Sequence, residues 1–443
     1  MWVGIGSPQY LFLGFLDMPS NLRIDPERLW ASLMETAAYG ATAKGGINRQ
    51  TLTAEDAAVR VWFKRRCEAI GCKVLVDEVG NIFALRPGRQ PGLAPIALGS
   101  HLDTQPTGGK FDGNLGVLAG LEAMRTLIDA GYETNAPLLV VSWTNEEGAR
   151  FAPAMLGSGV FAGVYARAMA DGVADVGGVR FGEALESIGW RGELKAGAIE
   201  LSAYLELHIE QGPILEAEGK TIGIVTGVQG VRWFELAIAG RASHAGTTPM
   251  PRRADAFAAC ARIAVELRGI AAAHAPLAVA TIGRVEVEPN SPNVIPGAVR
   301  MTVDLRHHAD AALGVMEDAL RATIERIGRE ERVEIATRKL HDIAAVTFHA
   351  DCVAAVRAAA EALGHAHRDI ISGAGHDAVH LARIAPTAMI FVPCKDGLSH
   401  NESESATLLD CAAGAQVLLE AALALDAKLA LHHASRPASQ TRS

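Results

Sequence analysis

Apolar residues recur at helical spacing after a clear start signal near the beginning of the chain. Asp25 is a capping residue, Pro26 occupies the first helical position, and the pattern continues to Gly40. We therefore expect a helix that begins at Pro26. Further along, the alternating runs KVLV and NIFALR flank the turn residues 79–81, which predicts a β-hairpin.

Short apolar runs alternate with helical stretches over most of the chain. Three runs, APIALGSHLDT, APLLVVSWTNEEG and TAMIFVP, end in polar, loop-type residues, and stretches such as GVLAGLEAMRTLIDAG separate them. Strands buried on both faces that alternate with helices predict an α/β domain, whose mixed sheet is covered by helices on both faces. Ligands of such folds gather at the carboxyl ends of the strands.

Residues 230–345 have a different pattern. Runs such as RWFELAIAG, APLAVATIGRVEVEP and GAVRMTVDLRH alternate like half-exposed strands, and long helices are expected at 254–271 and 311–331. We expect a compact α+β domain here, inserted into a discontinuous α/β domain. The predicted boundaries are 18–229 and 346–427 for the α/β domain, 230–345 for the insertion, and 1–17 and 428–443 for polar or irregular tails.

Composition removes several classes of function. The 41 Lys and Arg against 50 Asp and Glu give a net charge of −9. The sequence has no run of basic residues of the kind that binds a nucleic-acid backbone, so nucleic acid is not an expected partner. Six scattered cysteines without a CxxC spacing argue against disulfides or a cysteine-ligated zinc and favour the cytoplasm. We find no span of about 20 apolar residues and no basic start of a signal peptide, so neither a membrane helix nor secretion is expected.

Candidate metal ligands follow the predicted strands. His101 ends one apolar run, Asp103 lies two residues on, and Asp112 sits in a glycine-rich loop. This spacing suits an imidazole ligand that a carboxylate orients, and an aspartate that bridges two ions. A single histidine at a strand end is more often an ordinary polar group, but the combination favours a metal site.

Two carboxylates and two histidines extend this set. Glu146 and Glu147 follow another buried strand, and adjacent side chains of extended backbone point in opposite directions. One of them can bind a metal while the other faces the substrate water; the alternative is a solvated charge pair. His208 and His400 lie in the polar clusters HIEQGP and GLSHNE. Nitrogen and oxygen ligands without thiolate suit zinc, and also manganese, cobalt or nickel.

The order of these motifs resembles a known family. His-x-Asp, Asp-Gly, Glu-Glu-Gly, HIEQGP, SHAGTTP, PNSPNVIPG, DLRH, SGAGHDA and GLSHNE resemble the hydantoinase/carbamoylase branch of the zinc aminoacylase and carboxypeptidase superfamily. The resemblance covers residues 28–423. Within that branch, GSHLDTQPTGGKFDG and IGIVTGVQG look most like the β-alanine synthases (β-ureidopropionases).

The resemblance implies how the ligands divide between two divalent ions. His101 and His208 would bind one ion, Glu147 and His400 the other, and Asp112 would bridge them. Glu146 would be the general base. Peptidases of the wider superfamily usually have a carboxylate where this chain has His208, so histidine favours the carbamoylases.

The same resemblance implies substrate-binding residues. Arg306 would pair with the substrate carboxylate, for which a planar guanidinium is suited, and His244 would hydrogen-bond the developing oxyanion. The remaining implied contacts are polar groups held by Asn293 and Gln211, a backbone cradle at Gly373 and Gly375, and His376 beside it. Spacing alone leaves Arg306 open as an ordinary strand-end arginine and Asn293 as a turn residue.

The implied activity is metal-dependent cleavage of the ureido group of N-carbamoyl amino acids (N-carbamoyl-β-alanine or N-carbamoyl-L-amino acids) to amino acid, CO2 and ammonia. An allantoate amidohydrolase shares the ligands, and a dimetal peptidase or aminoacylase is a further alternative. A non-catalytic metal-binding protein would predict a missing ligand or base. The inserted domain is implied to act as a lid and to pair two subunits in a homodimer, with His244 and Arg306 serving either their own site or the partner's.

Overall fold

The computed structural model describes residues 21–90 and 92–434 of the 443-residue chain. The predicted tail 1–17 and the expected lack of a signal peptide lie outside the described residues. The chain divides into two compact units. The first comprises the chain up to Thr226, Phe348–Ile370 and the residues from Gly375 onward; the second comprises Gly227–Thr347 and Ile371–Ala374.

The first stretch of the chain alternates helices and strands. Asp25 caps the first helix by accepting a hydrogen bond from the Arg28 N–H at 3.0 Å, so this helix begins where predicted, although it ends at Thr36 and not at Gly40. The elements are α1 Pro26–Thr36, α2 Ala54–Ala69, β1 Lys73–Val76, β2 Ile82–Arg86, β3 Ile96–His101, α3 Asn114–Asp129, β4 Leu138–Trp143, α4 Leu156–Phe161, α5 Arg167–Gly172, α6 Phe181–Ser187, β5 Ala203–Ile209, α7 Ile214–Ala217 and β6 Ile222–Val228.

The second unit is an antiparallel sheet with two long helices. Its elements are β7 Gly230–Ala239, β8 Ser243–His244, α8 Ala256–Ala272, β9 Val279–Thr281, β10 Val285–Glu288, β11 Val294–Ile295, β12 Ala298–His307, α9 Asp310–Glu331, β13 Glu334–Ile343 and β14 Val346–Thr347. The sheet order is β10-β12-β7-β13, with β9 beside β12. Alternate residues of β7 and β12, such as Phe234 and Met301, are buried in one core with α8 and α9, as period-two burial requires.

The remaining elements return to the first unit. They are α10 Ala350–Ala362, β15 His367–Ser372, α11 Ala378–Leu381, β16 Thr387–Val392 and α12 Leu408–Ala434. Residues 371–374, which the sequence placed in the α/β domain, group with the second unit because the Ser372 carbonyl accepts from the Gln229 N–H at 2.9 Å and Gly373 accepts from Arg306. Helix α12 also continues beyond the predicted boundary at 427, so His432 and His433 are exposed helical residues.

The sheet of the first unit is mixed, as predicted. Its order is β1-β2-β4-β3-β5-β16-β6, with β15 beside β6. The central strands β4, β3, β5 and β16 are parallel to their neighbours in this group and wholly buried. Helices α3 and α12 pack on them. The predicted α/β class is therefore confirmed. Because β4, β3, β5 and β16 are parallel, their carboxyl ends lie at the same edge of the sheet.

Helix α12 bears on the expected lack of a membrane helix. Among the described residues it is long and apolar enough to cross a membrane by length and composition alone, although Glu420, Asp426 and Lys428 interrupt its apolar residues. Of its most apolar 18 residues 67% are buried, as in the core helix of a globular domain. The six cysteines are buried and unpaired.

Candidate metal centre

The predicted ligands meet at the carboxyl-terminal edge of the parallel strands. His101 is the last residue of β3, and Glu147 follows β4 by a short loop. His208 lies near the end of β5, and His400 follows β16. Asp112 precedes α3, whose first residue is Asn114. The sheet thus brings together five residues that lie far apart in sequence.

These five side chains form two groups that share Asp112. Histidine nitrogens and carboxylate oxygens lie within 4.8 Å of one another in the group His101, Asp112, His208 and in the group Asp112, Glu147, His400. Asp112 Oδ1 is 3.1 Å from Nε2 of His208 and 3.6 Å from Nε2 of His101. Its Oδ2 is 3.4 Å from Nε2 of His400. Asp112 therefore presents one oxygen to each group, as a bridging carboxylate does.

Backbone carbonyls set the orientation of two histidine rings. Nδ1 of His101 is 2.9 Å from the Asp103 carbonyl, and Nδ1 of His208 is 2.9 Å from the Ile209 carbonyl. Because a carbonyl only accepts, each Nδ1 carries the hydrogen and each Nε2 keeps its lone pair. Both Nε2 atoms face Asp112. This donor set fits a divalent cation in each group.

Asp103 has a different contact from the one predicted. Its carboxylate is 3.9 Å from Nδ1 of His101, while its own carbonyl makes the short contact. The carboxylate instead accepts the N–H groups of Glu146 at 3.2 Å and Glu147 at 3.3 Å. Asp103 therefore fixes the backbone of the loop that carries the two glutamates.

Glu146 and Glu147 face different groups, as the sequence predicted for adjacent side chains. Glu146 Oε2 is 3.5 Å from Nε2 of His101, whereas Glu147 Oε2 is 3.3 Å from Nε2 of His400. Burial raises the pKa of Glu146 well above its ordinary value and raises that of Glu147 to about 7. A buried carboxylate with a raised pKa beside such a group is suited to accept a proton.

Three positions around the centre have left-handed backbone. Asn145, Gln211 and His400 have φ of 60°, 56° and 52°, which is uncommon for residues other than glycine. The Asn145 side chain stabilises its turn by donating to the Phe151 carbonyl at 2.7 Å. Strained positions of this kind persist where surrounding contacts fix them, and they cluster at functional sites.

Gln211, predicted to bind substrate, contacts one of the predicted metal ligands. Its Nε2 donates to Asp112 Oδ2 at 2.9 Å and lies 3.2 Å from the Ser399 hydroxyl. Two other predicted substrate residues also belong to the first unit. His376 is buried, with its ring edge-on to His208 at a centroid distance of 4.6 Å. At Gly375 an added Cβ would lie 3.2 Å from Cε of Met155.

His244 and Asn293 lie next to each other in the second unit. Strand β8 pairs with β11, and the Ala245 N–H donates to the Asn293 carbonyl at 2.9 Å. Nδ1 of His244 accepts from the N–H groups of Gly246 and Thr247 at 3.0 and 3.2 Å. The hydrogen of its exposed ring is therefore on Nε2, where it can donate to a ligand.

Arg306 is paired within its own strand. Its Nη2 donates to Asp304 Oδ2 at 2.8 Å and its Nε also contacts that carboxylate. Its Nη1 donates to the carbonyl of Gly373 at 2.9 Å. The contact places the predicted arginine beside one glycine of the predicted backbone cradle.

The sequence did not single out three further residues of the centre. Gln105 Nε2 donates to Glu147 Oε2 at 2.8 Å. The Ser399 hydroxyl is 2.9 Å from Asp112 Oδ2, and Glu404 contacts both Ser399 and the backbone of the Asp112 loop. Gln105 lies in the recognised motif GSHLDTQPTGGKFDG and Ser399 in GLSHNE, whereas Glu404 lies two residues beyond the end of GLSHNE.

Comparison with known proteins identifies the family. Residues 97–424 match the profile of Peptidase family M20/M25/M40. The chain is 49% identical over 403 residues to the N-carbamoyl-L-amino-acid amidohydrolase of Rhizobium meliloti, covering 91% of this chain and 97% of the relative. It is 34% identical over 386 residues to the allantoate amidohydrolase of Bacillus subtilis (strain 168), covering 87% and 94%. The crystal structure of an amidase of the hydantoinase/carbamoylase family from Burkholderia multivorans matches with a TM-score of 0.90 and 52% identity, over 92% of this chain and 99% of that one.

Proposed function

The chain belongs to Peptidase family M20/M25/M40, and from that premise we propose that it hydrolyses the ureido group of N-carbamoyl amino acids. The preferred substrates in this proposal are N-carbamoyl-L-amino acids. The relative at 49% identity is named an N-carbamoyl-L-amino-acid amidohydrolase, and the match covers 97% of its length. N-carbamoyl-β-alanine is the second member of the class. The products are the amino acid, CO2 and ammonia.

The observation that carries the proposal is the division of the ligands by Asp112. One oxygen of this carboxylate faces His208 and the other faces His400, and Glu146 lies beside His101. We propose that His101 and His208 would hold one divalent ion and Glu147 and His400 another, with Asp112 contributing to both groups. Zinc is the proposed metal; the same donors accept manganese, cobalt or nickel. When bound, the ions would polarise the substrate carbonyl and lower the pKa of the attacking water to about 7.

In the proposed reaction Glu146 moves the proton. Its buried carboxylate takes a proton from the attacking water, whose oxygen bonds to the ureido carbonyl carbon. Glu146 then gives this proton to the amino-acid nitrogen as the bond between that nitrogen and the carbonyl carbon breaks. The amino acid leaves, and the remaining carbamic acid breaks down to CO2 and ammonia. The buried position of Glu146, with Oε2 3.5 Å from Nε2 of His101, supports this role.

Substrate binding is assigned to both units. We propose that Arg306 pairs with the substrate carboxylate and that His244 donates from Nε2 to the oxyanion. The other proposed contacts are those of Gln211, Asn293, His376 and the backbone at Gly373 and Gly375. The free Nε2–H of His244 and the contact between Arg306 and the Gly373 carbonyl support these assignments.

Allantoate hydrolysis is the second candidate. A relative at 34% identity is named an allantoate amidohydrolase, and allantoate also carries ureido groups and a carboxylate. The higher identity to an N-carbamoyl-L-amino-acid amidohydrolase favours the first candidate.

We further propose a homodimer in the cytoplasm; unpaired, buried cysteines fit a reducing compartment.

Substitution of Glu146 tests the proposed chemistry. In Glu146→Gln the amide keeps the shape but cannot accept the proton, so we expect turnover to fall roughly 10²- to 10⁴-fold while metal content stays unchanged. Glu147→Gln is the matched control, which should lose metal as well as activity. Elemental analysis and initial rates on an N-carbamoyl-L-amino acid measure both effects. Near-normal turnover of Glu146→Gln would remove this residue from the mechanism.

A further inference from the structure

One carboxylate outside the five proposed ligands is enclosed by the loop that carries Asp112. Glu404 is 5% exposed, and its Oε1 accepts the N–H of Phe111 at 2.9 Å and the N–H of Asp112 at 3.1 Å. A carboxylate that accepts two main-chain N–H groups fixes the path of that backbone. Glu404 therefore fixes the backbone position from which the Asp112 side chain extends.

The second oxygen of Glu404 reaches the Asp112 side chain through one hydroxyl. Oε2 is 3.0 Å from Ser399 Oγ, and the same Oγ is 2.9 Å from Asp112 Oδ2. Oδ2 is the oxygen on the side of His400. The Ser399 hydroxyl has one hydrogen and donates to one of these two oxygens at a time. Glu404 therefore contacts Asp112 directly at its backbone and shares Ser399 with the carboxylate oxygen of the second group.

Gly109 makes room for this carboxylate. A Cβ at Gly109 would lie 2.0 Å from both Cδ and Oε1 of Glu404, closer than any real contact of that kind. The backbone of Gly109 is not in the left-handed region, so its conformation does not require glycine. The glycine is required by the side chain that the loop encloses.

We propose that Glu404 is a positioning residue for the bridging carboxylate, holding Asp112 so that its two oxygens face the two ligand groups. The inference rests on the proposed function, because the groups are there assigned to two ions. Groups that orient metal ligands typically contribute 10- to 100-fold to metal affinity. Glu404 touches neither the ligand nitrogens nor the substrate in this role and acts through Asp112.

The test compares Zn²⁺ binding by the full-length protein and three variants. Metal-free protein is titrated with Zn²⁺ in competition with a chromophoric chelator, which yields both stoichiometry and affinity. For Glu404→Ala we expect affinity for at least one of two ions to fall roughly 10- to 100-fold. Glu404→Gln should stay within a few-fold of the unsubstituted protein, because the amide oxygen still accepts both N–H groups and the amide nitrogen can donate to Ser399.

Glu402→Ala is the matched control in the same loop. Glu402 accepts a hydrogen bond from Thr42 and lies 3.8 Å from Lys44, so its loss should leave Zn²⁺ affinity unchanged. Equal affinity in Glu404→Ala and the unsubstituted protein would overturn the proposal. So would a loss in Glu404→Gln as large as that in Glu404→Ala, since the hydrogen bonds would then not be the cause.

A second variant approaches the same contact from the opposite side. Gly109→Ala should displace the Glu404 carboxylate and weaken Zn²⁺ binding by an amount similar to that expected for Glu404→Ala. It tests the same contact if Glu404→Ala does not fold. Gly172→Ala is its control, because nothing lies within 4 Å of a Cβ there. Unchanged Zn²⁺ affinity in Gly109→Ala would count against the inference. Failure of the proposed function would show differently, as an unsubstituted protein that binds no pair of ions or does not hydrolyse ureido substrates.

Discussion

The guanidinium of Arg306 is held before any substrate arrives. Asp304 engages its Nε and Nη2, and the Gly373 carbonyl engages its Nη1. This fixes the plane of the guanidinium and reduces the entropy that is lost when a carboxylate binds. A lysine could not reproduce three directed contacts from one flat group.

Removal of this side chain should affect substrate binding more than the chemical step. For Arg306→Ala we expect KM for N-carbamoyl-L-amino acids to rise roughly 10- to 100-fold, since a charged hydrogen bond contributes about 1.5–3 kcal/mol, with a smaller change in kcat. Arg300→Ala is the control, because Arg300 is an exposed arginine on the same face of β12. Steady-state kinetics measure both constants. Unchanged saturation behaviour in Arg306→Ala would contradict the assigned role.

The sequence identified site residues that belong to a recognisable motif. It did not identify residues whose role depends on contacts with distant parts of the chain. The ligand set followed from polar residues after apolar runs together with the family resemblance. Asp103 was correctly placed near the centre, but its carboxylate contacts the backbone of Glu146, which spacing cannot reveal. Glu404 was missed because its partners, Phe111 and Asp112, lie about 290 positions earlier in the chain.

Strand β5 shows the limit of hydrophobic pattern at the scale of elements. His208 was assigned to a polar cluster, HIEQGP, yet it lies in β5, every residue of which is buried. Glu206 is tolerated there because Ser100 donates to it at 2.6 Å and the Ala378 N–H donates at 3.0 Å. Buried polar groups with such partners break the apolar run that identifies an interior strand. The helices α8 and α9 were predicted to within two residues, since their apolar spacing is regular.

The start of α8 offers a test of local structure in the second unit. Asp255 accepts the N–H groups of Phe257 and Ala258, each at 3.0 Å. For Asp255→Ala we expect the free energy of unfolding to fall by about 0.5–2 kcal/mol, while Asp255→Asn, which still accepts, should lose less. Urea denaturation followed by circular dichroism measures the difference. Equal stability of all three proteins would show that the cap contributes nothing.

At the scale of the whole molecule, the second unit has an edge strand and exposed apolar side chains among the described residues. Strand β13 lies at the end of its sheet, and Val265 of α8 is 71% exposed. An uncovered strand edge and exposed apolar side chains are features that a second subunit can bury. They support the homodimer implied by the family resemblance.

Sedimentation equilibrium tests the dimer. The chain has a mass of 46.6 kDa, and we expect a species of about twice that mass at micromolar concentration. Val265→Asp, which places a charge on the exposed face of α8, should shift the equilibrium towards the monomer. A single monomeric species of the unsubstituted protein would exclude the dimer under these conditions.

The most direct test of the central claim is a comparison of initial rates on substrates that share one amino acid. The metal-loaded protein is assayed with N-carbamoyl-L-methionine, N-acetyl-L-methionine and a methionine dipeptide, alongside N-carbamoyl-β-alanine and allantoate. We predict that kcat/KM for N-carbamoyl-L-methionine exceeds that for the N-acetyl compound and the dipeptide by at least about 100-fold, because the site must recognise the terminal ureido NH2. Faster hydrolysis of the dipeptide or the N-acetyl compound, or preference for allantoate, would contradict the proposed function.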